Sequence, residues 1–220
     1  MNLPTSALGA ILLTSLPLSA ATLVKYDFEV STTAVGEFAA GVSAAPLGVP
    51  SDFVRTTNNP ESGAGSLAIT FSNLNAGDPP ASGAAAPDNV TFTVSSTAGQ
   101  LLQLQSLTFL TGMSGNQATG AVYSVQYDLG AGFLNIGSNF SHTADASETR
   151  TVDLSDPIFS GVSSISFRIN ITEPAVSTNG GTASARIDDI SLNGSVIPEP
   201  SSFVLLAAAG LFAVGRRSRP

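Results

Sequence analysis

Apolar and polar residues alternate with a period of two through most of the middle of this chain. Val24, Tyr26, Phe28 and Val30 fall on one face of a first segment, with Lys25, Asp27 and Glu29 on the other. Leu67, Ile69 and Phe71 alternate with Ala68, Thr70 and Ser72, and Val90, Phe92 and Val94 with Thr91 and Thr93. An extended chain sends successive side chains to opposite faces, so each segment predicts a half-buried strand. In residues 101–110 the apolar register changes near Ser106, from Leu102 and Leu104 to Leu107 and Phe109, which predicts a bulge or corner. Tyr123, Val125, Tyr127 and Leu129 line up on one face before Gly130-Ala131-Gly132, and residues 133–136 return, the pattern of a hairpin. Residues 149–154, then Ile165, Phe167, Ile169 and Ile171, then residues 186–196 complete the set. Nowhere in this region does apolar spacing of three and four persist over three turns, so almost no helix is expected. Eight or nine short strands separated by turn signals predict an all-β fold, a two-sheet antiparallel β-sandwich with jelly-roll winding.

Between the strands, residues 31–50 and 73–89 read as long loops rich in Ala, Gly, Ser and Pro, and residues 76–87 as low complexity. Residues 172–185 read as the link between the last two strands. No repeat of 20–50 residues is present, which argues against a solenoid or propeller.

The two ends break the alternation. Residues 1–21 carry apolar runs at 7–13 and 16–18 and close on Ser19-Ala20-Ala21, small residues suited to signal peptidase. This is a secretory signal, cut after Ala20 or Ala21 and engaging the Sec machinery, although its n-region lacks Lys and Arg. At the other end, Pro198-Glu199-Pro200 precedes an uncharged run over residues 201–215 and then Arg216, Arg217 and Arg219. Fifteen residues in a helix span about 22 Å, short of the ~30 Å hydrocarbon core. Such a segment halts in a bilayer when the prolines sit among headgroups and the arginines snorkel. The arginines then stay on the cytoplasmic side, with everything before Pro198 across the inner membrane.

This terminal arrangement closely resembles the PEP-CTERM sorting tail of Gram-negative bacteria, over residues 198–220. The resemblance implies recognition by an exosortase, a membrane-embedded cysteine transpeptidase that cuts near Pro198, Glu199 and Pro200. It implies transient anchoring in the inner membrane, then delivery to the cell surface or beyond. It also implies a setting of exopolysaccharide production. The chain therefore divides into a signal peptide (1–21), a β-sandwich (22–197) and a sorting tail (198–220).

Charge narrows the function of the central part. Only 11 % of the chain is charged, against roughly 25 % in an ordinary domain. Residues 22–197 hold fifteen acidic residues (all but Glu199) against five basic ones, which excludes a basic footprint for nucleic acid. With no Cys and one His, thiolate chemistry and multi-imidazole zinc sites are excluded as well. His142, flanked by Ser141, Thr143 and Asp145, reads as an exposed loop residue, and no nucleophile elbow or phosphate-binding loop is present.

Arg186-Ile187-Asp188-Asp189-Ile190-Ser191-Leu192 stands out because Ile187 and Ile190 cannot share a face of a regular strand. If Ile190 and Leu192 point inward, so does Asp188, and a buried carboxylate needs a hydrogen bond, a cation or a metal. The segment resembles the closing strand of MAM-like and carbohydrate-binding-module-like jelly rolls. That resemblance implies a structural calcium on Asp188 or Asp189, with Glu29 or Asp27 from an adjacent first strand. The alternative reading pairs Asp188 with Arg186 or Arg168, or makes it a loop cap. For sugar binding the aromatic inventory is thin. Tyr26, Tyr123 and Tyr127 fall on apolar faces and read as core, leaving Phe38, Phe53 and Phe140 as candidate platforms. The sequence thus points to non-enzymatic presentation of an exported sandwich domain, the alternative being a carbohydrate-binding module or a weak polysaccharide-active enzyme.

Overall fold

The computed structural model describes residues 20–28, 35–49, 53–56, 66–71, 88–114, 121–142, 147–172 and 183–199. The described residues form thirteen strands: β1 (Ala21–Tyr26), β2 (Glu37–Phe38), β3 (Val42–Ala44), β4 (Phe53–Thr56), β5 (Ser66–Phe71), β6 (Asp88–Ser96), β7 (Gln100–Ser114), β8 (Ala121–Asp128), β9 (Leu134–His142), β10 (Glu148–Asp153), β11 (Ser160–Val162), β12 (Ser164–Thr172) and β13 (Ala183–Pro198). The helical turn among them is a short 3-10 turn, Pro157–Phe159, whose first amides are capped by Asp156.

Two antiparallel sheets face one another. The first runs β10-β7-β13-β1-β2, with β11 beside β7 and the β4–β5 hairpin beside β13; the second runs β3-β6-β12-β8-β9. The chain passes repeatedly from one sheet to the other, the winding expected from the strand pattern. Between them lies the core. The first sheet contributes Val24, Tyr26, Leu102, Leu104, Leu107, Phe109 and Leu192, and the second Val90, Phe92, Val94, Tyr123, Val125 and the four alternating residues Ile165, Phe167, Ile169 and Ile171. Phe92 stacks on Phe167 with centroids 5.4 Å apart and meets Tyr26 at 5.3 Å, joining the sheets near their centre.

The register change near Ser106 is a bulge in β7. Asn193 of β13 lies opposite Ser106, but Gly194 lies opposite Leu104, so Gln105 is the inserted residue. Both apolar pairs of β7 consequently face the core. Position 194 must be glycine, because a Cβ there would overlap the carbonyl oxygen of Gln103. The β8–β9 hairpin is also as expected. Its turn is held by Asp128 Oδ1, which accepts from the amides of Gly130 (2.6 Å) and Gly132 (2.9 Å).

Three expectations are corrected. Leu129 does not continue the apolar face of β8, since that strand ends at Asp128 and leaves Leu129 exposed in the turn. The first strand stops at Tyr26; Phe28 is buried, but with φ at 56° it has left the extended alternation. Residues 31–50 are not one long loop. They include β2 and β3, and Gly48 bridges Thr91 of β6. The signal segment before Ala20, Glu29, Val30, the loop over residues 73–87 and the residues from Pro200 onward lie outside the described residues.

Candidate functional site

The end of β13 positions the sorting element. This strand is central in the first sheet, and Val196, Ile197 and Pro198 still pair with Leu102, Leu101 and Gln100 of β7. On its other side β1 pairs only as far as Gly194. Pro198, which lacks an N–H, therefore falls where no ladder bond is required of it from that side. Glu199 donates its amide to the carbonyl of Gly99 at 3.1 Å. Two of the three residues of the Pro-Glu-Pro element are thus fixed to the β6–β7 turn with no linker between. Pro200, Arg216, Arg217 and Arg219 lie outside the described residues, among which no helix is long and apolar enough to cross a membrane.

The acidic pair lies where β13 exchanges one neighbour for another. Residues 183–187 pair with β5, and residues 190–194 with β1. Between them the pairing to β7 slips, Asp188 facing Leu110 and Ser191 facing Thr108, so one residue bulges out. That bulge lets both Ile187 and Ile190 be buried, and Asp189 takes the left-handed conformation (φ 46°) it requires. Asp188 is buried, as expected, and its Oδ1 accepts from the amide of Asp189 at 2.8 Å. Asp189 instead reaches the outer surface and pairs with Lys25 of β1 at 2.8 Å.

That carboxylate, with added attraction from Asp27 and Glu37, raises the Lys25 pKa above its ordinary value, against the opposing effect of desolvation. The first and last strands do lie side by side, which is what sequence reasoning required of a shared site. A cation is already supplied there, however, by Lys25. Among the described residues no three His, Asp or Glu side chains converge as a metal shell would need. Glu29 lies outside the described residues. Lys25, Asp189, Ser191, Thr108 and Thr149 line a shallow pocket of about 240 Å³ on this outer face.

The outer face of the second sheet carries a larger open groove, about 320 Å³. Its floor is Thr91 and Thr93 of β6 with Ser166 and Arg168 of β12. One wall is the segment Ala45, Pro46 and Gly48, laced to β6 by bonds from Ala45 N to Thr93 O (3.0 Å) and Gly48 N to Thr91 O (2.7 Å). The other is Phe133, which follows the β8–β9 turn and lies under the Arg168 guanidinium, 3.8 Å from carbon to ring centroid. Thr93 and Ser166 share a hydroxyl hydrogen bond of 2.7 Å. Sequence reasoning did not single out Phe133. The one signal was Arg168 itself, the charged residue among the polar positions of β12.

Of the aromatic candidates, Phe38 is exposed (63 %) on the edge strand β2. Phe140 packs edge-on against Phe109 at 5.9 Å, and Phe53 falls in β4. Tyr26 and Tyr123 are buried as expected, and Tyr127 packs against Phe159 at 5.0 Å.

His142 is the clearest reversal. It is not an exposed loop residue but the end of β9, 1 % exposed, enclosed between the sheets. Its Nδ1 lies 3.2 Å from the Thr111 hydroxyl and 3.4 Å from Arg150 Nη2, and Arg150 is itself ion-paired with Glu148. Arg150 also donates to the Ser141 carbonyl at 2.8 Å and to Thr111 Oγ1 at 3.1 Å. The cluster ties β7, β9 and β10 together across the sandwich, satisfying polar groups that burial would otherwise leave costly.

Comparison with known proteins adds one assignment. Residues 196–219 match the PEP-CTERM protein-sorting motif. The chain therefore carries a signal for export and for membrane-anchored sorting on the way to the cell surface. No curated protein matches the sequence. Solved structures of similar shape include TmCBM61 in complex with beta-1,4-galactotriose, at 12 % identity and TM-score 0.41 over 71 % of this chain and 90 % of that one. A cleaved adhesin domain of Lys-gingipain from Porphyromonas gingivalis is 14 % identical at TM-score 0.42, over 80 % of this chain and 99 % of that one. The carbohydrate-binding module TmCBM27, studied for mannan recognition, is 11 % identical at TM-score 0.41, over 81 % and 99 %.

Proposed function

We propose that this protein is an exported, non-catalytic β-sandwich. An exosortase processes it at Pro198, Glu199 and Pro200, and it is then presented at the cell surface or in the surrounding exopolysaccharide. The observation that carries this reading is the sorting motif at residues 196–219, which continues without a linker from the central strand of the folded body. Fractionation of cells making the tagged full chain, or the chain lacking residues 198–220, tests it. The full chain is expected in membrane and surface fractions, in a shortened form when the exosortase is present. Identical distribution of the two chains would overturn the reading.

A second reading is favoured by the groove on the second sheet. An open floor of hydroxyls, a proline wall and an aromatic ring are the surfaces on which sugars are held. Binding of glycan by this face would make the protein a carbohydrate-binding element of the surface layer. Release of reducing ends from a polysaccharide would make it instead a weak polysaccharide-active enzyme.

A further inference from the structure

We infer that the groove over β6 and β12 takes an acidic sugar unit, its carboxylate received by Arg168. This rests on the glycan-binding reading of the same groove.

Among the described residues, Arg168 is a cation without an ion-paired acid. Lys25 has Asp189 and Arg150 has Glu148, whereas Arg168 makes no ion pair among the described residues, and its buried Nε has no hydrogen-bond partner. Its directly paired and along-strand neighbours are neutral, and the one carboxylate among its diagonal neighbours is Asp128. Thr91 and Gln126 lie opposite it on the two flanking strands, and Ser166 and Asn170 lie two positions away along β12. In a body with fifteen acidic residues to five basic ones, a guanidinium with a single diagonal carboxylate and no ion pair to it is a notable placement. Asp128, opposite Ser166, spends its Oδ1 on the turn amides.

The guanidinium is also held in place. Stacking on Phe133 fixes its plane, so little freedom is lost when its fork receives two carboxylate oxygens.

The rest of the groove favours a sugar over an acidic peptide. Thr91, Thr93 and Ser166 offer hydroxyls that both donate and accept, suited to a polyhydroxylated ring. A peptide would look for an open strand edge, but β12 is paired on both sides, and the outer side of β6 is covered by β3 and the bridge from Gly48.

The test measures binding of three probes to the detergent-purified full chain. They are an oligoglucuronate, the neutral gluco-oligosaccharide of the same length, and poly-glutamate. Arg168→Ala and Arg168→Lys are run in parallel, with melting curves to confirm folding. The oligoglucuronate is expected to bind at least roughly tenfold more tightly than the neutral chain. That preference should vanish in Arg168→Ala, return only in part in Arg168→Lys, and weaken with added salt. Equal binding of acidic and neutral chains, or indifference to Arg168→Ala, would overturn the inference and leave the glycan reading standing. Retention of poly-glutamate as tight as the oligoglucuronate would overturn the assignment to a sugar. Failure to hold any glycan would overturn the inference and the glycan reading together.

Discussion

Lys25 and Arg168 stand in comparable places, each an outward-facing cation on an inner strand, one per sheet, yet the fold treats them differently. Lys25 is met by Asp189, which the β13 bulge pushes to the surface for that contact. The pair joins β1 to the point where β13 changes partners, and it closes the local surface electrically. Arg168 is met by an aromatic ring and, among the described residues, makes no ion pair, so its charge is left for a ligand. A cation whose acid comes from its own chain belongs to the architecture. One held rigidly without an acid is available for recognition.

The largest expected effect separates the rigid first sheet from the groove wall of the second. Gly194→Ala forces a Cβ into a main-chain carbonyl and should cost about 3 kcal/mol in urea unfolding. Gly48→Ala meets only the Thr91 hydroxyl, which can rotate away, and should cost under about 1 kcal/mol. Similar losses would erase the distinction between the two regions.

Opposite signs are expected when the two cations are perturbed. Asp189→Asn removes the acid from a partly exposed pair and should destabilise by about 0.5 kcal/mol. Gln126→Glu supplies an acid directly across from Arg168 and should stabilise by a similar few tenths, about 0.5 kcal/mol, while abolishing oligoglucuronate binding. Changes of the same sign would break the comparison.

A smaller effect should appear in alkali. The raised pKa of Lys25 means that the folded protein holds this proton more tightly than the unfolded chain does. Its contribution is complete below the ordinary lysine value of 10.5 and fades as pH rises through the folded value. Burial likewise raises the Tyr26 phenol, adding a second decline in the same direction. Melting temperature should therefore fall shallowly above about pH 10, and less so in Lys25→Met. The smallest expected effect is none at all. With Lys25 serving as counter-ion to Asp189, calcium or chelator should leave the melting temperature unmoved, and a calcium-dependent rise would instead support a metal at Asp188 or Asp189.

Much of this was legible in the residues. Period-two alternation located the strands because one face of each is buried. The three-residue spacing of Ile187 and Ile190 marked the β13 irregularity before its cause was visible. What the sequence hid were partnerships across sheets. Lys25 was not identified as the partner of the acidic pair, because its proximity depends on β1 lying beside a bulge far along the chain. The polar run around His142 looked solvated. Only the arrival of Thr111 and Arg150 from the other sheet makes it an interior site. Phe133 read as the start of a returning strand, since nothing nearby in sequence shows that its ring crosses β8 to reach Arg168.

β13 is the last strand described and also the piece that joins β7 and β11 on one side to β1, β2 and the β4–β5 hairpin on the other. Synthesis and export deliver a chain from its N-terminus. The first sheet therefore stays in two separate parts until β13, the last strand described, has emerged. Completion of the first sheet is thereby tied to the segment that leads straight into the sorting motif at residues 196–219.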